Sequence, residues 1–246
     1  MYNHAGEDTG SDWMTKVTRD EVRSFLIGTL LGDCYASPTY QWQWSNTEQN
    51  YVEWKAGFIR RYLGASCTVL ESKDSTCANG FMYRFALCSN KGRLRIYRNW
   101  FYTKDGKKHI TKRIRHFDHP LGLAVLILDQ GSCRGGLTKD YKTGNTYYRK
   151  PTVRIHLNAY PEEELVLFQQ ALKTNFDLTT TLQKKRSGKS DGLIDVYFGT
   201  TETQKLWTLI KPWVPDLVFA RKKFHPLIIQ TTNAKYVQRQ RGCALD

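Results

Sequence analysis

Two apolar runs in this chain end in residues whose side chains could coordinate a cation. "SFLIGTLLGDC" (24–34) closes on Gly32 and Asp33, and "PLGLAVLILDQGS" (120–132) closes on Asp129, Gln130 and Gly131. Downstream of each comes a lysine pair, "GKKHIT" with Lys108 and "RKKFHP" with Lys223. Carboxylate and amide oxygens suit a hard divalent cation. An acid at a helix C-terminus meets partial negative charge and unpaired carbonyls, so it is at ease only when a cation joins it. The oddity is Gln130, an amide where the other run has an acid.

The elements that must position these residues are duplicated. After the first run, Tyr51, Trp54, Phe58 and Tyr62 mark one buried helix face, and Leu165, Phe168, Leu172 and Phe176 repeat it 114 positions on. Each stripe is followed by two segments rich in β-branched and aromatic residues, "SCTVL" and "FMYRFALCS", then "DLTTTLQ" and "LIDVYFG". Each pair leads to an aromatic helix, "GRLRIYRNWF" or "TETQKLWTLIKPW". Trp100 and Trp213 are 113 apart, and Lys108 and Lys223 are 115 apart, so the register holds. The apolar runs are offset by only 97. The difference of about 17 residues falls in "RGGLTKDYKTGNTYYRK", which reads as a longer hairpin in the second half.

Thr18 with Glu21 forms a capping-box pattern before the first run, and Asp118 with Pro120 predicts a cap and first turn for the second. Polar residues alternate with apolar ones along the strands, as in Gln41, Gln43 and Ser45, or Arg154 and His156, giving sheets with one polar face. The expected fold is α+β, with two pseudo-twofold-related αββαββα halves over 18–116 and 117–232. A polar, disorder-prone leader (1–17) precedes them and a basic tail (233–246) follows.

Composition narrows the partner. Lys plus Arg number 37 against 23 Asp plus Glu, giving +14 and a pI near 9.5, and the excess is spread along the chain. With 13% aromatics, that balance favours nucleic acid over a membrane surface, because no basic amphipathic helix stands out. Two polar sheets about a pseudo-twofold would form a saddle suited to a DNA duplex. The six cysteines show no zinc spacing and read as reduced packing residues. No apolar leader or membrane-length window is present, so an intracellular, soluble protein of unspecified compartment is expected.

In this order of motifs, the chain resembles the LAGLIDADG homing endonucleases of the monomeric, two-motif type, over roughly residues 20 to 230. The first motif copy is Leu26 to Cys34 and the second is Leu123 to Gly131, which places Gln130 opposite Asp33. "GLIDVYFG" (192–199) spells more of the family name, yet it sits where each half needs its last strand, so Asp195 is read as a strand residue. The resemblance implies that the motif helices pack side by side and deliver acidic groups to divalent ions at the scissile phosphates. Mg²⁺ or Mn²⁺ would be the cofactor, with Ca²⁺ a non-catalytic substitute. The implied catalytic set is Asp33, Gln130, Lys108 and Lys223. Gly28 and Gly32 would allow close helix approach, whereas the second copy has Val125 and Asp129 at those positions.

Two readings of the amide stay open at this point. In one, Gln130 is the second ligand but brings no charge, so cleavage is impaired or biased to one strand. In the other, Asp129 or backbone carbonyls such as that of Gly32 hold the ion, although Asp129 lies about 100° further round a helix. The expected DNA contacts are Gln41, Gln43, Lys73 and Arg84 from the first half. From the second they are Lys139, Lys142, Tyr148, Arg149, Arg154, Gln183, Lys185 and Arg186. Rival readings are an intron maturase that binds RNA, or a cleavage-deficient DNA-binding protein of the same fold.

Overall fold

The computed structural model describes residues 17–39, 41–77, 80–88, 93–139, 142–185 and 193–228. The expected leader, almost all of it, and the tail lie outside these residues, as does Arg186. Among the described residues the first half runs α1 (Arg19–Leu31), β1 (Tyr35–Ala36), β2 (Gln41–Asn46), α2 (Gln49–Leu63), β3 (Leu70–Lys73), β4 (Phe81–Cys88) and α3 (Arg93–Phe101). The second runs α4 (Pro120–Gln130), β5 (Gly131–Lys139), β6 (Thr146–Ile155), α5 (Glu162–Phe176), β7 (Thr181–Lys184), β8 (Ile194–Phe198) and α6 (Thr200–Ile210). A further helix, α7, covers 218–228. The fold is therefore α+β with the expected αββαββα order twice. The sheets are antiparallel and share one topology, β1-β2-β4-β3 and β5-β6-β8-β7. No helix among the described residues is long and apolar enough to cross a membrane.

The extra residues of the second half lengthen the β5–β6 hairpin, as the glycine-punctuated sequence predicted. Alternation also holds on β2, where Trp42 and Trp44 are buried between Gln41, Gln43 and Ser45. The capping box forms at Thr18 and Glu21. The cap of α4 differs from expectation. His119 accepts from the Leu121 N–H, while Asp118 takes Arg23 and Ser24 of α1 and so ties the two halves together.

Helices α1 and α4 form the centre, and α4 is buried from Leu121 to Leu128. Their crossing is backbone against backbone. A Cβ on Gly28 would lie 2.3 Å from the Gly122 carbonyl oxygen, and one on Gly122 would lie 2.2 Å from that of Ser24. Gly28 therefore meets Gly122, one turn before Val125, which resolves how a bulky residue fits the second motif. Gly32 serves a different purpose, because the Asp129 carboxylate occupies the space a side chain there would need (Cβ to Oδ2 2.4 Å).

Candidate active site

The ends of the two central helices bring Asp33 and Gln130 together. The Gln130 amide donates to Asp33 Oδ1 at 2.6 Å, and Asn46, at the end of β2, donates to Asp33 Oδ2 at 3.1 Å. Burial pushes the Asp33 carboxyl up to about 6. The nearby Asp129 charge adds to the rise, while Lys55, the Asn46 hydrogen bond and Lys223 oppose it. A carboxylate this desolvated, beside helix-end carbonyls, is a poor anion until a cation reaches it.

Both predicted lysines arrive at the same place. Lys108, from the loop after α3, donates to the Gly32 carbonyl at 2.6 Å, and Lys223 of α7 donates to the Leu128 carbonyl at 2.5 Å. Each satisfies an acceptor that a helix C-terminus leaves open. Burial lowers both ammonium groups, that of Lys223 to about 8, despite the pull of Asp129 and Asp33.

Asp129 has other partners than an ion. Its Oδ1 accepts from the Tyr51 hydroxyl at 2.7 Å and from Lys55 Nζ at 2.5 Å, and its Oδ2 accepts from the Asp33 backbone N–H at 3.2 Å. The Lys55 and Asp129 side chains are 1% and 0% exposed. Both oxygens are thus engaged inside the protein, because a residue one step along the helix from Gln130 faces α2 instead of the helix ends. The Gly32 carbonyl, also among the expected ligands, already holds Lys108. Among the described residues no group of three His, Cys, Asp or Glu side chains could hold a metal ion. The donors present, one carboxylate and one amide, fit an ion such as Mg²⁺ that keeps waters and takes phosphate oxygens from its substrate.

Sequence reasoning missed Asn46, Tyr51 and Lys55. Lys55 had a signal, since a lysine one turn after Tyr51 and three residues before Phe58 falls within the apolar stripe of α2. Among the described residues Cys34, Cys67, Cys77 and Cys133 are unbridged; Cys34 and Cys67 are buried in the core, whereas Cys77 is only partly buried, and burial pushes the Cys133 thiol up to about 12.

The expected DNA contacts divide. Gln41, Gln43 and Arg84 lie on the polar face of the first sheet, where Arg84 pairs with Ser45. Lys73 does not share that face. Its register partner is Phe81, so it alternates with Ser72 and turns to the side of Tyr83 and Phe85, exposed at the strand end. Lys139, Lys142, Tyr148 and Arg149 are exposed on the long hairpin, and the consecutive Tyr148 and Arg149 point from opposite faces. Arg154, Gln183 and Lys185 gather round Asp195. That residue is on β8, as its strand composition predicted, but is buried at 1% exposure.

Residues 23–206 match the LAGLIDADG DNA endonuclease family. The homing endonuclease I-WcaI, solved bound to its DNA recognition sequence, superposes with a TM-score of 0.60 at 18% identity, covering 86% of this chain and 88% of its own. Meganuclease I-SmaMI, bound to uncleavable DNA, gives 0.52 at 10% identity, covering 86% and 92%. No curated protein matches in sequence.

Proposed function

The chain belongs to the LAGLIDADG DNA endonuclease family, and from that premise we propose that it is a monomeric, divalent-metal-dependent endonuclease that cuts a long pseudo-symmetric duplex. The observation that carries this reading is the meeting of Asp33 and Gln130 at the ends of α1 and α4, flanked by Lys108 and Lys223. The polar sheet faces and the +14 charge supply a path for the duplex. I-WcaI is described with its recognition sequence bound, and this chain shares its fold.

Asp33 and Gln130 would hold the ion, whose Lewis acidity acts on a water and a phosphate oxygen. Asp33 supplies the negative charge, and Asn46 holds its second oxygen by donating to it. For Gln130 to serve, its amide must turn so that the carbonyl oxygen replaces the N–H now given to Asp33. Lys108 and Lys223 place ammonium groups where charge develops on phosphorus.

The two sides are unequal. Tyr35 pairs with Gln43 as Ser132 pairs with Arg154, so Leu157 stands in the second half where Asn46 stands in the first. The Gln130 side therefore lacks both the acid and the amide that orients it, and cutting is biased to one strand. The test is a supercoiled plasmid carrying a target selected from random duplexes, incubated with Mg²⁺. Accumulation of nicked before linear product is expected and requires Asp33. Sequence-selective binding with no metal-dependent cutting would refute the enzyme reading in favour of a DNA-binding protein.

A further inference from the structure

On the polar face of the second sheet, outside the helix-end site, a buried acid gathers three side chains. Asp195 Oδ1 accepts from His156 Nδ1 at 2.8 Å and lies 3.2 Å from Lys185 Nζ. Its Oδ2 has no hydrogen-bond partner and sits 3.9 Å from an Arg154 guanidinium nitrogen. Arg154 is held from the other side by Tyr197, its guanidinium 5.3 Å from the ring centroid. His156 Nε2 meets Ser132 Oγ at 3.0 Å, which fixes the imidazole between two partners. A carboxylate accepts only, so the His156 nitrogen facing Asp195 carries the proton.

Ser132, His156 and Asp195 have the connectivity of a nucleophile relay. Two cations share the same carboxylate, however, and neutralise the charge that would make the imidazole a strong base. What the arrangement does well is hold donors still. A free arginine or lysine samples many rotamers, whereas Arg154 and Lys185, each half-buried, share one carboxylate. The first sheet has no equivalent. By the register of the strands, Ser45 and Arg84 occupy the places of His156 and Asp195, and Arg84 is exposed.

We propose that Asp195 is a positioning residue for base recognition, holding Arg154 and Lys185 as a fixed donor pair that reads a guanine edge in the half-site under the second sheet. Guanine is the fit because it offers two acceptors, N7 and O6, in the major groove, and this cluster presents donors. Burial of Asp195 keeps its own negative charge away from the phosphates while its neighbours reach outward. The proposal rests on the DNA-binding reading above, and it adds that the two half-sites differ at this position.

The experiment selects binding sites from a random 30-base-pair duplex library with the wild-type protein and with Asp195→Asn, which keeps shape and removes charge. The wild type is expected to enrich a sequence with guanine at one position of one half-site. Asp195→Asn should lower that preference about tenfold or more, while affinity for non-specific duplex holds or rises. Its dependence on salt should steepen, because the freed cations turn to phosphate. A merely structural role would instead weaken all binding together. If the wild type enriches no sequence, the DNA reading itself fails. If it enriches one and Asp195→Asn gives the same profile at every position, the buttress is refuted while that reading stands. Should Asp195→Asn lose its circular dichroism signal, Arg154→Gln takes its place, and retention of the guanine by that variant overturns the proposal.

Discussion

Removing the charge of Asp129 should unsettle the protein more than any change at the DNA surface. Lys55 is 1% exposed, and its ammonium group meets the Asp129 carboxylate at 2.5 Å and the Tyr51 ring at 4.4 Å to the centroid. Asp129→Asn leaves that ammonium buried with a neutral amide. Breaking one side of a buried ion pair costs about 3–5 kcal/mol, because the remaining charge stays desolvated. For a chain of this length each kcal/mol moves the midpoint by about 2–4 °C, so a fall of roughly 10 °C is expected. Lys55→Met should cost a similar amount by stranding the carboxylate. The double variant Lys55→Met/Asp129→Asn removes both charges, and it should recover a coupling energy of about 2–3 kcal/mol. Thermal unfolding followed by circular dichroism at pH 7, with no metal added, measures all four proteins. Additive effects, or single variants within about 1 kcal/mol of wild type, would show that the pair is not the buried charge couple described and that Asp129 is free for another task.

Four further outcomes follow from the same geometry. Asp33→Asn should abolish metal-dependent cutting yet stabilise the metal-free protein. The raised Asp33 carboxyl favours the fold when protonated, and that benefit, complete below its ordinary value near 4, is lost as pH rises through about 6. The gain of the variant over wild type in urea unfolding should thus be largest above pH 6 and vanish below pH 4. Lys223, lowered to about 8, penalises the fold while charged, so wild-type stability relative to Lys223→Met should rise above pH 8 as the amine is deprotonated, and cleavage should fall over that window. Gly28→Ala, whose Cβ would lie 2.3 Å from the Gly122 carbonyl oxygen, should cost about 3 kcal/mol in denaturant unfolding; a neutral result would mean the helices do not touch there. Gln130→Glu should raise the ratio of linear to nicked plasmid in Mg²⁺, and an unchanged ratio would remove Gln130 from the site.

The fold was legible because its signals were redundant. Two helical stripes, two strand pairs and two tryptophans at nearly one offset specify the αββαββα order even where a boundary slips, as at β3, which begins only on Leu70, the last residue of "SCTVL", and runs on to Lys73. Asp33, Gln130, Lys108 and Lys223 were legible for the same reason, each being one of a pair. What escaped was unpaired. Lys55 has Gln169 at the matching offset of its helix, and Asp129 has Gly32, so no repeat pointed to their ion pair. Lys73 was misplaced because strand composition does not say on which residue a strand begins, and a shift of one turns a side chain to the other face. Asp195 was correctly assigned to a strand, but strand composition gave no hint that Arg154, His156 and Lys185 would gather round it and bury it.

Gln130 makes sense as a compromise between two states of one site. Asp33 is already desolvated and lies near Asp129, so its carboxyl is raised to about 6 before any second acid is added. A glutamate at 130 would set a further carboxylate within hydrogen-bond distance of Asp33 Oδ1, and like charges that close cannot both ionise without a cation between them. The amide avoids this by donating to Asp33 at 2.6 Å, satisfying in the metal-free protein the acceptor that an ion would otherwise claim. The same donation works against cutting, since the amide must rotate before its oxygen can serve and even then lends no charge to bind the ion. Under the proposed endonuclease reading, a more stable metal-free protein and a weaker second cutting centre would be two consequences of one substitution of nitrogen for oxygen.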